Sequence, residues 1–305
     1  MKDFAYAAPT TLREALKILA EKGAAARPLA GGTDLIVQMR ARRLQPEVVV
    51  DVKAIPELNE LGISPRRGLT IGAAVPCRRI YGEAEVAARY PGVVDAAAII
   101  GGIQIQGRAS FGGNLCNASP SGDSIPMLIA YGAECLIAGP GGKRTVPVVD
   151  FCTGPGANVL QPGELLVAIR VPPVRPGSGC HYLRFIPRNE MDIAVVGVGA
   201  YVELGNRGKA FKAARIGLGA VAPTPLLARE AGDLLVGRQV GEAAIAEACD
   251  AARRVARPIT DMRGPAEYRS HLVGVLVRRA LEGAVKRARG ERVANAIEED
   301  GQRAA

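Results

Sequence analysis

Pro28-Leu29-Ala30-Gly31-Gly32-Thr33-Asp34-Leu35 decides how this chain is read. With it goes a later stretch, Ser110-Phe111-Gly112-Gly113-Asn114-Leu115, followed by Ala118-Ser119-Pro120 and Asp123. Each reads as a glycine turn leaving an apolar segment, flanked by a hydroxyl residue and an acid or amide. Glycine tolerates positive φ and lets backbone N–H groups come close to a ligand. Successive N–H groups in such turns form anion-binding nests. Two of them suit a ligand with two adjacent phosphates, such as a dinucleotide cofactor. Read singly, either pair is also an ordinary structural turn. Asp34 alone is equally a helix N-cap, and Asp123 a cap for a helix over 124–131.

Upstream of the first pair, Thr11-Leu12-Arg13-Glu14 is a capping box, with a hydroxyl at the cap and a carboxylate three residues on. Leu12, Ala15, Leu16 and Leu19 follow at helical spacing, and Gly23 is placed to stop the helix. Residues 27–30 read as a short strand, 34–40 as a short helix, and 48–52 and 69–73 as strands. This alternation fits a small α/β lobe, whose end is placed near residue 55. Residues 78–108 are helical in pattern, broken at Pro91 and at Gly101-Gly102. The second glycine pair then opens a loop that a helix over 124–131 closes. Strands are expected at 134–138, 144–149 and 164–171.

Pro172-Pro173 and Pro176-Gly177-Ser178-Gly179 form a composition break, where a domain boundary is placed. Beyond it, 193–204 and 211–220 read as a hairpin turning at Gly205-Asn206-Arg207-Gly208. Amphipathic helices are expected over 241–256 and 268–289. The reading thus divides the chain into a first lobe (1–55), a second lobe (56–175), an α+β C-terminal domain (176–290) and a polar, frayed tail (291–305).

Composition removes several classes of function. The 305 residues suffice for two or three domains, and 48% hydrophobic with 23% charged residues is ordinary for a soluble globular chain. No run approaches the roughly 20 apolar residues that span a bilayer. The start, Met1-Lys2-Asp3-Phe4-Ala5-Tyr6, carries an early acid and no apolar stretch, so no signal peptide is expected. The net charge of +9 is diffuse and aromatics make up only 4%, with no Trp, which leaves few base-stacking platforms for nucleic acid. Cys77, Cys116, Cys135, Cys152, Cys180 and Cys249 lack metal-ligand spacing and read as reduced thiols of a cytoplasmic protein. His181 and His271 read as surface or packing residues. Arg188 and Asp192 read as a surface pair.

With these motifs in order, the chain resembles the FAD-binding medium subunits of the xanthine dehydrogenase and carbon monoxide dehydrogenase family of molybdenum hydroxylases. The resemblance rests on 30–35, on 112–115 with 118–120 and Asp123, and on Arg188 with Asp192-Ile193-Ala194 and Val196. It continues through Gly219-Ala220-Val221-Ala222-Pro223-Thr224-Pro225 and Glu267-Tyr268-Arg269 to Arg278-Arg279-Ala280. It implies an α+β chain: a two-lobed, vanillyl-alcohol-oxidase/PCMH-like FAD-binding domain followed by a C-terminal domain of the CO dehydrogenase flavoprotein type. FAD would be the cofactor on this chain. Leu29, Ala30, Gly31, Gly32, Thr33, Asp34 and Leu35 would cradle the pyrophosphate, and Ser110, Phe111, Gly112, Gly113 and Asn114 would form a second cradle. Asn117 would donate to a phosphate or sugar oxygen. Asp123 would accept from the ribose or adenine end, and Ile100 would lie against the flavin ring.

The same resemblance implies an electron-transfer subunit with no catalytic residue for substrate of its own. A large partner would carry a molybdenum cofactor and a small one [2Fe-2S] clusters, in a dimer of heterotrimers. Electrons would pass between those clusters and an external acceptor or donor. The arginines of 278–289 would help orient an acidic partner surface. Relatives carry Gln-Ile-Arg-Asn before the second pair, where this chain has Gln104-Ile105-Gln106-Gly107-Arg108. No cysteine-rich insertion is seen, so no cluster is expected here. Two other readings stay open: a stand-alone FAD-dependent oxidoreductase, and a flavin-free scaffold subunit.

Overall fold

The computed structural model describes residues 1–188 and 191–294; of the expected tail, 295–305 lie outside the described residues. The chain opens with β1 (Ala5–Ala7), α1 (Leu12–Lys22), β2 (Ala26–Leu29), α2 (Leu35–Arg40) and β3 (Val48–Asp51). Thr11 caps α1, its Oγ1 accepting from Glu14 N at 3.3 Å, and Gly23 ends it with φ +50°. The three strands form a parallel sheet in the order β1-β3-β2. Its central strand, Val48 to Asp51, is buried at all four residues, as a strand covered on both faces must be.

The strand expected at 69–73 does not complete this sheet. It is β5 (Gly68–Gly72), which pairs with β4 (Leu61–Ser64) in a different one. A run of helices follows: α3 (Cys77–Gly82), α4 (Ala84–Arg89), α5 (Pro91–Ile99), α6 (Ile103–Gln106), α7 (Phe111–Asn117) and α8 (Ser124–Tyr131). Then come β6 (Glu134–Gly139), β7 (Gly142–Pro147), the small hairpin β8 (Cys152–Gly154) and β9 (Ala157–Asn158), and β10 (Leu165–Val171). The second sheet is antiparallel, ordered β4-β5-β10-β6-β7. One apolar core runs through both lobes, from Ala15 and Val50 to Phe151 and Ile169.

The rest of the chain holds β11 (Ser178–Phe185), β12 (Val196–Gly205), β13 (Ala210–Gly219) and β14 (Leu226–Leu227) in one antiparallel sheet in that order. The helices α9 (Arg229–Asp233), α10 (Glu242–Val255) and α11 (Ala266–Ala288) follow. The expected hairpin is β12–β13. Strand β11 was missed, because it begins inside the proline- and glycine-rich break. A second core joins Val198 and Leu218 of this sheet to Val273 and Leu281 of α11.

The sheet also receives α8. A Cβ at Gly199 would lie 2.7 Å from Met127 Cα, and one at Gly217 would lie 2.0 Å from the Pro126 carbonyl oxygen. Glycines at these two positions let the α8 backbone rest on the sheet. Of the arginines at 278–289, only Arg287 is withdrawn into the protein. Arg278 pairs with Glu242, Arg287 with Asp95, and Arg289 donates to the Gly208 carbonyl. Arg279 is exposed, so cationic surface remains on this helix.

Candidate functional site

Strand β2 delivers the first glycine pair to the C-terminal edge of the parallel sheet, the edge at which open α/β sheets bind ligands. Leu29 is buried with Met39 and Val49 and anchors the loop from below. Only Gly32 takes positive φ (+78°). Gly31 is required for a different reason, since a Cβ there would lie 2.2 Å from the Arg108 carbonyl oxygen. Arg108 in turn donates from Nε to the Gly31 carbonyl at 3.2 Å. The first motif therefore packs against Arg108 and Ala109, the two residues that lead into the second. Among the described residues, the N–H groups of Gly31, Gly32 and Thr33 have no acceptor in the protein. Asp34 is exposed, and its side chain caps nothing although it precedes α2. Leu35 begins α2 and packs into the small Leu29 cluster.

The second glycine pair is not the loop expected of it. Ser110 is the N-cap of α7, its Oγ accepting from Gly113 N at 3.0 Å, so both glycines lie in the first helical turn. Gly112 is needed there by close approach, because a Cβ would lie 2.3 Å from the Ala73 carbonyl oxygen. Gly113 faces open space apart from Ser110 Oγ, 3.2 Å from a Cβ. Phe111 puts its ring into the core, 1% exposed, so only its backbone is available to a ligand. Asn114 accepts from Ser124 N at 3.2 Å and Ser124 Oγ at 2.7 Å, tying α7 to α8. Asn117 accepts from Gln38 Nε2 at 2.9 Å, a side-chain link between α7 and α2. Its amide nitrogen remains a donor.

Asp123 does not cap α8. It is buried, and its oxygens accept from the Tyr182 hydroxyl at 3.0 Å and from Arg184 Nη1 at 2.7 Å. Burial pushes its carboxyl up, against the opposing pull of Arg184 and Tyr182. Sequence reasoning missed both partners. The only available signal was their spacing, since residues 182 and 184 of a strand share a face.

Ile100 is 6% exposed and follows α5. Gln106 donates from Nε2 to the Ala98 carbonyl at 2.7 Å and the Ile100 carbonyl at 3.4 Å. It thus holds the Ile100 turn in place. Nearby Ile103 is 70% exposed and was not anticipated. Exposed Arg188 pairs at 3.3 Å with Asp192, whose side chain is largely covered and also meets Arg263 at 3.4 Å. At the end of β3, the Tyr6 hydroxyl and Lys53 both bind the Asp51 carboxylate beside the first loop.

The six cysteines form no disulfide. Among the described residues, no group of three or more His, Cys, Asp or Glu side chains is placed to hold a metal ion, and no helix is long and apolar enough to cross a membrane.

Residues 2–174 match the family model described as the FAD binding domain in molybdopterin dehydrogenase, and 181–284 match the CO dehydrogenase flavoprotein C-terminal domain. The chain is 37% identical to the carbon monoxide dehydrogenase medium chain of Afipia carboxidovorans, over 94% of this chain and 98% of that one. It is 30% identical to the xanthine dehydrogenase FAD-binding subunit of Escherichia coli O157:H7, over 95% of this chain and 99% of that one. The structure of reconstituted CO dehydrogenase from Oligotropha carboxidovorans superposes with a TM-score of 0.90 at 35% identity, covering 94% of this chain and 99% of its counterpart. The two glycine motifs, the fold around them and these matches together place the chain in the family of FAD-binding medium subunits of the CO and xanthine dehydrogenase-type molybdenum hydroxylases.

Proposed function

We propose that this chain is the electron-transfer subunit of its complex, carrying electrons between [2Fe-2S] clusters on a small partner subunit and an external acceptor or donor. Substrate chemistry lies on a large molybdenum-bearing subunit, in a cytoplasmic dimer of heterotrimers. The observation that carries the reading is the first glycine loop at the sheet edge, packed against the residues that lead into the second motif, where among the described residues the N–H groups of Gly31, Gly32 and Thr33 have no acceptor. Such donors fit a pyrophosphate, whose oxygens accept several backbone hydrogen bonds at once.

In this reading residues 29–35 form the first cradle and Ser110–Asn114 the second. The Asn117 amide donates to a phosphate or sugar oxygen. Asp123 accepts from a cofactor hydroxyl or amine, and Ile100 is assigned to the flavin ring. When bound, FAD supplies exchange between one-electron and two-electron transfer, and the protein's part is to bind and orient it. The side chains gathered here are committed to one another: Asp123 to Tyr182 and Arg184, Asn114 to Ser124, Asp51 to Tyr6 and Lys53. That pattern suits a site that holds a cofactor and leaves substrate activation to another chain. The domain limits read from the sequence, 1–55, 56–175 and 176–290, are kept as part of this proposal.

The test is to isolate the chain from its native source under mild conditions and assay flavin, molybdenum and iron together. Flavin absorbance with co-migrating molybdenum and iron is expected. A yellow monomer without either metal would overturn the subunit reading in favour of a stand-alone flavoenzyme, and a colourless complex would favour a scaffold.

A further inference from the structure

Tyr182 stands in β11 and is held at both ends. Its backbone N–H donates to Asp95 Oδ2 at 3.1 Å, and its hydroxyl donates to Asp123 Oδ1 at 3.0 Å. The first anchor is rigid, because Arg287 grips Asp95 through two nitrogens, at 2.5 and 2.9 Å. The second lies at the glycine motifs, one residue before α8. Tyr182 is only 3% exposed, so water does not compete for its hydroxyl. Burial, reinforced by the Asp123 carboxylate, lifts its phenol well above the usual range, and the group acts only as a donor.

The bond is not needed to neutralise Asp123, which Arg184 does at 2.7 Å. Nor does it cap α8, since the Asp123 side chain makes no capping bond. What it adds is orientation. Two donors from alternate residues of one strand take one oxygen each and set the plane of the carboxylate. A carboxylate has about four lone-pair sites, so each oxygen keeps one for another donor. The opposite strand makes room for the arrangement: a Cβ at Gly197 would lie 2.7 Å from the Tyr182 hydroxyl oxygen.

We propose that Tyr182 is a positioning residue for the cofactor, setting the orientation in which Asp123 accepts from a hydroxyl or amine group at the nucleotide end. This rests on the reading that Asp123 faces FAD. Through it, the sheet of the C-terminal half, locked to α5 by Arg287 and Asp95, determines the geometry of an acid in the FAD-binding half.

The test uses the full-length chain and reads FAD affinity, by quenching of flavin fluorescence, beside melting temperature. Tyr182→Phe keeps the ring and the backbone bond but removes the donor. It is expected to raise the FAD Kd about fivefold to tenfold, less than the roughly tenfold to hundredfold of a direct hydrogen bond to a charged group, because the bond removed orients Asp123 and does not itself touch FAD. Asp123→Asn is expected to raise it further. In the Asp123→Asn background, Tyr182→Phe is expected to add nothing, the non-additivity of residues acting through one contact. Gly197→Ala retains the hydroxyl but must displace it, and reads the same coupling should Tyr182→Phe fail to fold. Weakened binding in Asp123→Asn with unchanged binding in both other variants overturns the proposal alone. Additive effects in the double variant overturn it too, because they assign Tyr182 a structural role. Unchanged binding in Asp123→Asn overturns the reading of Asp123, and the proposal with it.

Discussion

Arg287, in the last turn of α11, grips Asp95 of α5 with two guanidinium nitrogens, Nη1 to Oδ2 at 2.5 Å and Nη2 to Oδ1 at 2.9 Å. The side chains are only 8% and 4% exposed. Arg287 also donates to the Cys180 carbonyl at 2.9 Å. One arginine thus fastens α11 both to α5 and to β11. Breaking a buried pair by removing one partner leaves an uncompensated charge, at a cost of about 3–5 kcal/mol. Arg287→Met is expected to fall in that range in denaturant unfolding. The double variant Arg287→Met, Asp95→Leu is expected to recover only part of the loss: apolar side chains often replace a buried ion pair at little cost, but here the buried Tyr182 N–H also loses its acceptor. A single-variant loss under about 1 kcal/mol would show the pair to be as weak as a surface bridge.

The two glycine pairs are expected to respond differently. Gly31→Val drives a side chain into the Arg108 carbonyl, so both the loop and flavin binding are expected to fail. Gly113→Val sits in a helix with only Ser110 Oγ nearby. Its stability is expected to change by no more than about 1 kcal/mol, since valine is a slightly better helix former than glycine. Its flavin content is nevertheless expected to drop sharply, because the new side chain occupies space that the cofactor needs. Flavin-to-protein absorbance ratios and melting curves separate the two effects. Full flavin content in Gly113→Val would remove Gly113 from the cradle.

Much of this was legible in the chain, but unevenly. The Thr11 box and Gly23 carry their own local chemistry, and α1 lies where they put it. Gly32 was readable as a positive-φ position for the same reason. Gly31 and Gly112 are glycines because distant backbone, at Arg108 and Ala73, comes within reach, which no local rule encodes. The second pair reads as a glycine turn opening a loop, in keeping with the low helix propensity of glycine. The Ser110 cap and packing against Ala73 override that preference. Strand β11 gave no alternating signal, since Gly179 to Tyr182 are buried in succession. Without the strand, the partners of Asp123 could not be named.

His181 gives a pH dependence of definite sign. It is 8% exposed, and its Nδ1 has no hydrogen-bond partner. Burial lowers its pKa below the usual 6.5, with Arg287 adding to the shift and Asp95 opposing it. The unfolded chain therefore takes up a proton before the folded one does. Stability is expected to fall as pH drops below about 6.5, with a slope of at most about 1.4 kcal/mol per unit until the folded imidazole titrates. His181→Gln removes this contribution. Urea midpoints of the two proteins between about pH 5 and 7 are expected to converge toward the acid end if His181 is responsible. Parallel curves would assign the acid sensitivity to other groups.

The FAD-binding half is expected not to stand alone. Every residue of α8 is buried, and its start rests on Gly199 and Gly217 of the C-terminal sheet. Cys180 and Tyr182 of β11 belong to the apolar core shared by the two N-terminal lobes. Both side-chain partners of Asp123 also come from β11. A chain ending at residue 177 loses the cover of α8, part of its core and both donors to a buried carboxylate. The truncated chain is therefore expected to show no cooperative melting and no stoichiometric flavin, rather than to persist as a lobe pair that merely loses its partner subunits. Supplying residues 178–305 as a separate chain is expected to restore flavin binding in the mixture, because the missing surfaces are discrete and complementary. A yellow, cooperatively melting 1–177 fragment would show that the cofactor site needs neither Tyr182 nor Arg184.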